Sequence, residues 1–254
     1  MADDKSWEKI FDDYRILQNN FNESPFVLSA EQIKTSCKDF KKTAQKEVRI
    51  LCKQHTRESR PRIFKENQLF LLPIKNGFYN IIKGEGYIDI PKIKSEIVTY
   101  KSRLNFSLDS LKGMNSKMQH LDYAYASSLI RTFMEDDSLV LTIRGRKYTP
   151  KFSFYVNNQL INVSSVQTEV DAGYEGKDEI VLIEAKNSKA ANIIIRQLYY
   201  PFRQWQSHIK KKVVTLFFEK VKDIYSIWQF EFSNIDRYDS IKLVRSERYK
   251  IVEN

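Results

Sequence analysis

Apolar residues at helical spacing predict short helices in the first part of the chain. The first is an amphipathic helix over 6–19 with Ser6 as its cap. A second helix over 29–37 would open at Ser29, which is followed three residues later by a glutamine. A third helical or mixed segment covers 44–53. The apolar stripe of the first helix consists of Trp7, Ile10, Phe11, Tyr14 and Leu17.

After residue 67 the helical spacing of apolar residues ends, and short apolar runs typical of strands follow. The apolar runs 68–74 and 78–82 flank Asn76-Gly77, which is a strong signal for a β-hairpin. Short helices followed by a hairpin favour a winged-helix-like module. After it, 83–91 is predicted to be a loop with a short strand, and the polar, basic stretch 92–114 is predicted to be a linker.

The second half of the chain alternates between helix and strand patterns, which predicts an α/β or α+β core with a mixed sheet flanked by helices. The strand over 180–186 is apolar on both faces, so we expect it to be central and buried. The predicted helices cover 119–133 and 190–208, and the predicted strands cover 139–143, 151–156, 162–171, 180–186, 213–218, 225–232 and 241–245.

Charged residues at one end of these strands are the candidate chemistry. Glu184 and Lys186 are two apart on a strand and share a face, as do Glu169 and Asp171 on the preceding strand. If the strands pair as a hairpin, carboxylates from both meet beside one ammonium group. Such a set suits a Mg²⁺-assisted phosphodiesterase. The alternative is an ordinary hairpin with a solvated charged face, but charges that end a buried strand are costly unless they are paired or bound to metal.

These residues carry a resemblance to a known family. An aspartate, a turn and then Leu-Ile-Glu-Ala-Lys, followed by a helix, resemble the PD-(D/E)XK nuclease superfamily, and more closely its type II restriction endonucleases. The proline that usually precedes the aspartate is Val170 here. Segments similar to that group stand in order over nearly the whole chain, at 63–79, 121–130, 169–176, 182–187, 195–203 and 240–251.

The resemblance implies sequence-specific cleavage of double-stranded DNA by Mg²⁺-dependent phosphodiester hydrolysis, in a restriction-modification system. It implies a winged-helix-like DNA-binding domain over 1–110 and a nuclease domain over 111–254. Asp171, Glu184 and the backbone carbonyl of Ala185 would hold the metal, and Lys186 would position the attacking water. Mn²⁺ would substitute for Mg²⁺, and Ca²⁺ would support binding alone. A separate DNA methyltransferase is expected in the same system, and both a monomer and a homodimer stay open.

Further residues are candidates for accessory roles. Gln167 and Glu169 share the face of Asp171, and Glu135 or, equally, Asp122 is a candidate acidic group on the helix before the sheet. The basic segment around Arg60 either contacts a DNA groove or is a solvated loop. The candidate DNA contacts are Arg57, Arg60, Arg62, Lys65, Arg144, Arg146, Arg196, Gln197, Tyr200 and Arg203.

Composition agrees with a nucleic-acid partner. The 254 residues carry 42 Lys and Arg against 32 Asp and Glu, a net charge of +10, which favours a polyanion. The two cysteines suit neither a disulfide framework nor a zinc site. The sequence has no transmembrane run or signal peptide, so we expect a cytoplasmic protein without membrane contact, and the resemblance implies that the cell is prokaryotic. We also expect a fragment over 116–254 to contain a core of its own. A non-catalytic DNA-binding regulator with a degenerate nuclease-like domain is the alternative function.

Overall fold

The first part of the chain forms a layer of helices against a small antiparallel sheet in the computed structural model, which describes residues 3–111 and 116–253. The three strands of this sheet stand in the order β1-β3-β2. The elements are α1 (Asp4–Asp13), β1 (Phe26–Ser29), α2 (Ala30–Cys37), α3 (Thr43–Lys46), α4 (Val48–Leu51), α5 (Arg62–Glu66), β2 (Leu69–Lys75) and β3 (Phe78–Lys83), with a 3₁₀ turn at Ile16–Gln18.

The starts of the first two helices have identifiable caps. Asp3 caps α1, since its side chain accepts a hydrogen bond from the Ser6 amide. The prediction of Ser6 as the cap is therefore wrong, because Ser6 lies inside the first turn and its hydroxyl donates to the Gln45 carbonyl. The predicted start of α2 is confirmed, with Ser29 and Gln32 bonding each other's backbone in a capping box.

The predicted hairpin is confirmed as β2 and β3, which pair in an antiparallel register around Asn76-Gly77. Gly77 has φ +76°, the left-handed region that glycine enters without steric cost. The sequence analysis missed β1, which adds to β3 as a third strand. Trp7 and Phe11 from α1 pack edge to face on Phe64 beneath this sheet.

A large mixed sheet forms the centre of the second part. Among the described residues it has seven strands in the order β5-β14-β13-β12-β10-β9-β6. The β10–β12 and β14–β5 pairs are parallel and the other pairs are antiparallel. The strands are β5 (Val98–Lys101), β6 (Val140–Tyr148), β9 (Gln167–Glu175), β10 (Glu179–Lys186), β12 (Lys212–Val221), β13 (Ile224–Phe232) and β14 (Ile241–Val252).

The predicted strand over 162–171 is two strands. β8 (Gln159–Val163) ends before Ser165, whose φ of 53° interrupts the extended chain, and β9 begins at Gln167. Asp171 consequently lies in the middle of β9 and not at a strand end. β8 pairs with β7 (Phe152–Val156) in a separate hairpin, so the expectation that 151–156 joins the main sheet is also wrong.

Helices cover both faces of the main sheet, with boundaries that differ from the prediction. The helix expected over 119–133 is α6 (Lys117–Ala126) and α7 (Leu129–Met134), separated at Ser128 with φ 66°. The helix expected over 190–208 is α8 (Arg196–Gln206). Its predicted first turn is instead β11 (Asn192–Ile194), which pairs with β4 (Tyr87–Asp89). Shorter 3₁₀ turns stand at Asp109–Leu111 and Tyr238–Ser240.

The two parts of the chain share strands and a hydrophobic core. β4 and β5 pair with strands of the second part, although the sequence analysis put residues 87–101 in the N-terminal domain and linker. The last residues of that expected linker, 112–114, lie outside the described residues. Phe70 and Leu72 of the N-terminal hairpin are fully buried in one cluster with Phe154 and Tyr199. No helix within 3–111 or 116–253 is both long and apolar enough to cross a membrane.

Candidate active site

Two buried carboxylates lie side by side on β9 and β10, which are neighbouring strands of the main sheet. The antiparallel register of β9 and β10 pairs Ala172 with Ile183, so Asp171 and Glu184 follow at the same level. Asp171 is 3% exposed and Glu184 is 7% exposed. The proximity that the sequence predicted from the strand periodicity is therefore present.

Asp171 is held by one contact from each side. Its Oδ2 accepts a hydrogen bond of 2.9 Å from the Ala185 amide on β10. Its Oδ1 accepts one of 2.6 Å from the Nζ of Lys117, the first residue of α6. Sequence reasoning missed Lys117, because nothing local connects it to a carboxylate 54 positions away. The capping box of Ser116 and Gln119 fixes where α6 starts and so where Lys117 lies.

Glu184 accepts two hydrogen bonds on the same oxygen. Lys186 Nζ lies 2.5 Å from Glu184 Oε1, and Gln197 Nε2 lies 2.6 Å from it. Burial raises the pKa of Glu184, with the charge of Asp171 acting in the same direction and Lys186 opposing both. The side chain is thus an unusually basic carboxylate, held in place by a strand neighbour and by the first turn of α8.

The pKa of Lys117 moves in a direction that favours the ammonium form. Burial disfavours that form, but the hydrogen bond from Lys117 to Asp171 and the charges of Asp171, Glu184 and Glu169 outweigh it and raise the pKa. Lys117 therefore stays charged and neutralises Asp171, while Lys186 forms an ion pair with Glu184.

The donor set fits a hard divalent cation such as Mg²⁺. Asp171 and Glu184 offer carboxylate oxygens, and Ala185, which follows Glu184 in the chain, offers a backbone carbonyl. Within residues 3–111 and 116–253 there is no group of three or more His, Cys, Asp or Glu side chains placed to hold a metal. Mg²⁺ commonly binds through one or two carboxylates and keeps several waters, so it does not require a third acidic side chain.

These carboxylates open into a cleft of about 650 Å³ between the two parts of the chain. The segment after α4 and the β2–β3 hairpin form one wall. β9, the end of β10 and the start of α8 form the other. The polar and charged residues on the lining are Arg49, Lys53, Gln54, His55, Lys75, Asn76, Lys117, Arg146, Gln167, Thr168, Glu169, Asp171, Glu184, Lys186, Arg196 and Gln197.

Comparison with protein families divides the chain in two at the end of the hairpin. A family described as "Domain of unknown function (DUF6997)" matches residues 82–250, which is most of the chain. The chain belongs to the DUF6997 family. A second family, "Domain of unknown function (DUF6996)", matches residues 4–81. Neither the curated proteins nor the solved structures contain a match to the chain.

The cleft therefore lies between the DUF6996 region (4–81) and the DUF6997 region (82–250). Of the predicted accessory residues in the DUF6997 region, some line the cleft and others lie elsewhere. Gln167 and Glu169 line the cleft, and Glu169 pairs with Arg146 at 3.2 Å. Glu135 instead pairs with Arg245 at 3.0 Å. Asp122 pairs with Arg144, and neither of these acidic side chains belongs to the cleft lining.

The candidate DNA contacts on α8 separate into two groups. Arg196 and Gln197 line the cleft. Tyr200 is fully buried, and its hydroxyl donates to the Pro73 carbonyl at 2.9 Å. Arg203 lies over the Phe152 ring and pairs with Asp236 at 3.3 Å.

The four basic candidates of the DUF6996 region make contacts within the protein and do not line the cleft. Arg57 pairs with Glu85 and Asp89 near β4. Arg60 donates to the Leu69 carbonyl and lies over the Tyr87 ring. Arg62 pairs with Glu8, and Lys65 donates to the Glu58 carbonyl. Their role as DNA contacts stays a prediction.

Proposed function

We propose that this protein hydrolyses phosphodiester bonds of double-stranded DNA with Mg²⁺, as a site-specific endonuclease of the restriction type. The observation that carries the proposal is the pair of adjacent buried carboxylates, Asp171 and Glu184, each bonded to a lysine at the floor of a basic cleft. The resemblance to PD-(D/E)XK nucleases, which is carried in part by the same residues, agrees with this arrangement.

Each residue of the site has a role in this proposal. Asp171, Glu184 and the carbonyl of Ala185 would hold Mg²⁺, which supplies a water of lowered pKa and neutralises phosphate charge. Lys186 holds Glu184 and presents an ammonium group to the attacking water and the scissile phosphate. Gln197 fixes the Glu184 carboxylate from the α8 side. Lys117 holds Asp171 in the same way.

The restriction-type interpretation adds three proposals about context. A separate DNA methyltransferase would protect the host DNA, the protein would act in a prokaryotic cytoplasm, and it would act on DNA either as a monomer or as a homodimer. A winged-helix-like role for the DUF6996 region remains part of the same proposal. It is supported by helices followed by a hairpin, but the region also has a third strand, β1.

The test is plasmid cleavage by three variants: Asp171→Asn, Glu184→Gln and Lys186→Ala. We expect each to lose at least about 100-fold in rate with Mg²⁺, the usual scale for removing a group that acts in the transition state. Binding to DNA in Ca²⁺ should persist. Asp223→Asn, Glu231→Gln and Lys250→Ala, at exposed positions outside the cleft lining, are the matched controls and should cleave like the wild type.

Two outcomes would contradict the proposal. Near-normal turnover by any of the three site variants would remove that residue from the mechanism. Tight DNA binding by the wild type without cleavage in Mg²⁺ or Mn²⁺, relative to EDTA, would favour the alternative, a non-catalytic DNA-binding regulator.

A further inference from the structure

Positive charge exceeds negative charge in the cleft, and the excess has a definite location. Seven lysine and arginine residues line the cleft, against three carboxylates. Each carboxylate has its own cation, since Lys117 pairs with Asp171, Lys186 with Glu184 and Arg146 with Glu169. The other four cations make no ion pair within residues 3–111 and 116–253. They are Arg49, Lys53, Lys75 and Arg196.

Three of these four cations belong to the DUF6996 region. Arg49 and Lys53 lie in and just after α4, and Lys75 ends β2 at the hairpin turn. All three side chains are exposed. They line the same cleft as Asp171 and Glu184 but come from the opposite wall. This contrasts with Arg57 and Arg62, which form ion pairs with carboxylates of the protein.

Arg196, the fourth cation, begins α8 on the catalytic side. Its Nε is buried and has no hydrogen-bond partner among the described residues. Gln54, 2% exposed on the facing wall, has neither of its side-chain amide atoms paired. Unpaired buried polar atoms are costly. Both residues lie on the cleft lining, next to the space that a ligand would occupy.

His55 lies on the cleft lining, and charges from both walls act on its ring. Burial, followed by the charges of Arg196, Lys186, Lys53 and Lys117, lowers the pKa of His55 to about 3. The ring is therefore neutral at pH 7, and the positive charge of the cleft belongs to the lysines and arginines. Cations from four separate places in the chain act on this one side chain. An anion with several charges would neutralise them.

We propose that Arg49, Lys53, Lys75 and Arg196 bind the phosphate backbone of the DNA whose phosphodiester bond is hydrolysed, so that the DUF6996 region forms one wall of the active site. This rests on the proposed function. A polymer suits the site better than a single phosphate, because the cations come from three elements around a cleft of about 650 Å³. Phosphate contacts of this kind position DNA without reading its sequence.

The experiment measures binding of the full-length protein to a labelled DNA duplex in Ca²⁺ over a range of salt concentrations. The test variant combines Arg49→Gln, Lys53→Gln and Lys75→Gln. We expect its log–log salt slope to fall by about three units, close to one unit for each phosphate that the protein no longer neutralises. Arg196→Gln added to it should remove about one unit more. Thermal melting should match the wild type for the triple variant, since its three side chains are exposed.

Two charge-matched controls make the result specific. Lys38→Gln, Lys41→Gln and Lys42→Gln remove the same charge from exposed positions of the same region outside the cleft lining. Their combination should leave the slope within about half a unit of the wild type. The second control combines Arg57→Gln, Arg60→Gln and Arg62→Gln. It should lower the melting temperature, because these side chains make contacts within the protein, and it should leave the salt slope within about half a unit of the wild type. Equal effects of the cleft triple and the Lys38 triple would overturn the proposal.

Binding and cleavage can fail separately. DNA binding that depends on the four cleft cations, without cleavage in Mg²⁺, would support this inference and contradict the proposed hydrolysis. Cleavage by the wild type, together with an unchanged salt slope in the Arg49→Gln, Lys53→Gln, Lys75→Gln variant, would support the proposed hydrolysis and contradict this inference. Binding of single-stranded RNA or inorganic phosphate at these residues, but not of duplex DNA, would overturn the assignment of DNA as the occupant.

Discussion

The Lys117–Asp171 pair makes a prediction about metal binding that does not require activity. An ammonium group lies 2.6 Å from the Oδ1 of Asp171, one of the carboxylates that would hold Mg²⁺ in the proposed site. Lys117→Met keeps most of the side chain but removes the charge. Without divalent cations we expect the free energy of unfolding of Lys117→Met to be lower than that of the wild type by roughly 1–3 kcal/mol, the usual cost of an unsatisfied buried polar group. Because the Lys117 side chain is 37% exposed, the lower end of that range is expected.

Mg²⁺ should then stabilise Lys117→Met more than the wild type, because the cation no longer competes with the ammonium group at Asp171. Thermal melting over a Mg²⁺ titration measures both effects. Lys41→Met, at an exposed position outside the cleft lining, is the control and should behave like the wild type. A Mg²⁺-induced shift that is smaller in Lys117→Met than in the wild type would show that the lysine helps to hold the metal.

The raised pKa of Glu184 leads to a second prediction for a single residue. Burial favours the protonated carboxyl group in the folded protein, so the ionised form reduces stability above the usual value of about 4.5. Glu184→Gln removes that cost and keeps an oxygen that accepts from Lys186 and Gln197. We expect the variant to be more stable than the wild type at pH 7–8 without metal, and the difference to disappear as the pH falls to about 4.

Urea unfolding of both proteins across this pH range measures the difference. Glu231→Gln, at an exposed strand position, is the control and should show no such pH dependence. If Glu184→Gln is less stable than the wild type at pH 7–8, then the ion pair with Lys186 contributes more than burial costs.

At the residue scale, the sequence predicted the contacts that follow from strand periodicity. Glu184 and Lys186 are two apart, and their side chains bond each other. Asp171 lies beside Glu184 because the two strands pair. Lys117, Gln54 and His55 were not predicted, since they reach the cleft from parts of the chain that are distant in sequence. No local sequence pattern indicates which distant residues line the same cleft.

At the element scale, the strands with continuous apolar runs were predicted well. β10, β12 and β13 lie in the middle of the sheet, where burial on both faces requires such runs. The N-terminal hairpin was predicted from its Asn-Gly turn. Errors occur where tertiary contacts decide the conformation. β11 exists because β4 lies beside it, and Ser128 divides α6 from α7 with a left-handed backbone that no helix pattern indicates.

On the scale of the whole molecule, the family boundary is not a boundary of the hydrophobic core. The DUF6996 region ends inside β3, yet its Phe70 and Leu72 lie in the cluster that contains Phe154 and Tyr199. The Tyr200 hydroxyl reaches back to Pro73. β5 pairs with the C-terminal strand β14. The wall that carries Asp171 and Glu184 and the opposite wall of the cleft are therefore held in place by one continuous core.

This shared core predicts that a fragment over 116–254 does not fold, although the apolar strands of the sequence favour a core of its own. The fragment lacks β4 and β5. It also lacks Phe70, Leu72 and Ile82, each fully buried in the shared cluster. Burial of three such side chains contributes roughly 5–9 kcal/mol, which is similar to the whole stability of a typical domain, about 5–15 kcal/mol. The loss is thus large enough to remove cooperative folding.

Near-ultraviolet circular dichroism and thermal melting of three proteins test this expectation. The full chain should melt cooperatively. A fragment over 82–254 keeps β4, β5 and Ile82 but lacks the hairpin residues Phe70 and Leu72, so it should melt at a lower temperature or aggregate. The fragment over 116–254 should show no near-ultraviolet signal and no cooperative transition. If it melts as cooperatively as the full chain, the core around Asp171 and Glu184 folds independently, and the DUF6996 region is an attached module whose wall of the cleft can be removed without unfolding the carboxylate site.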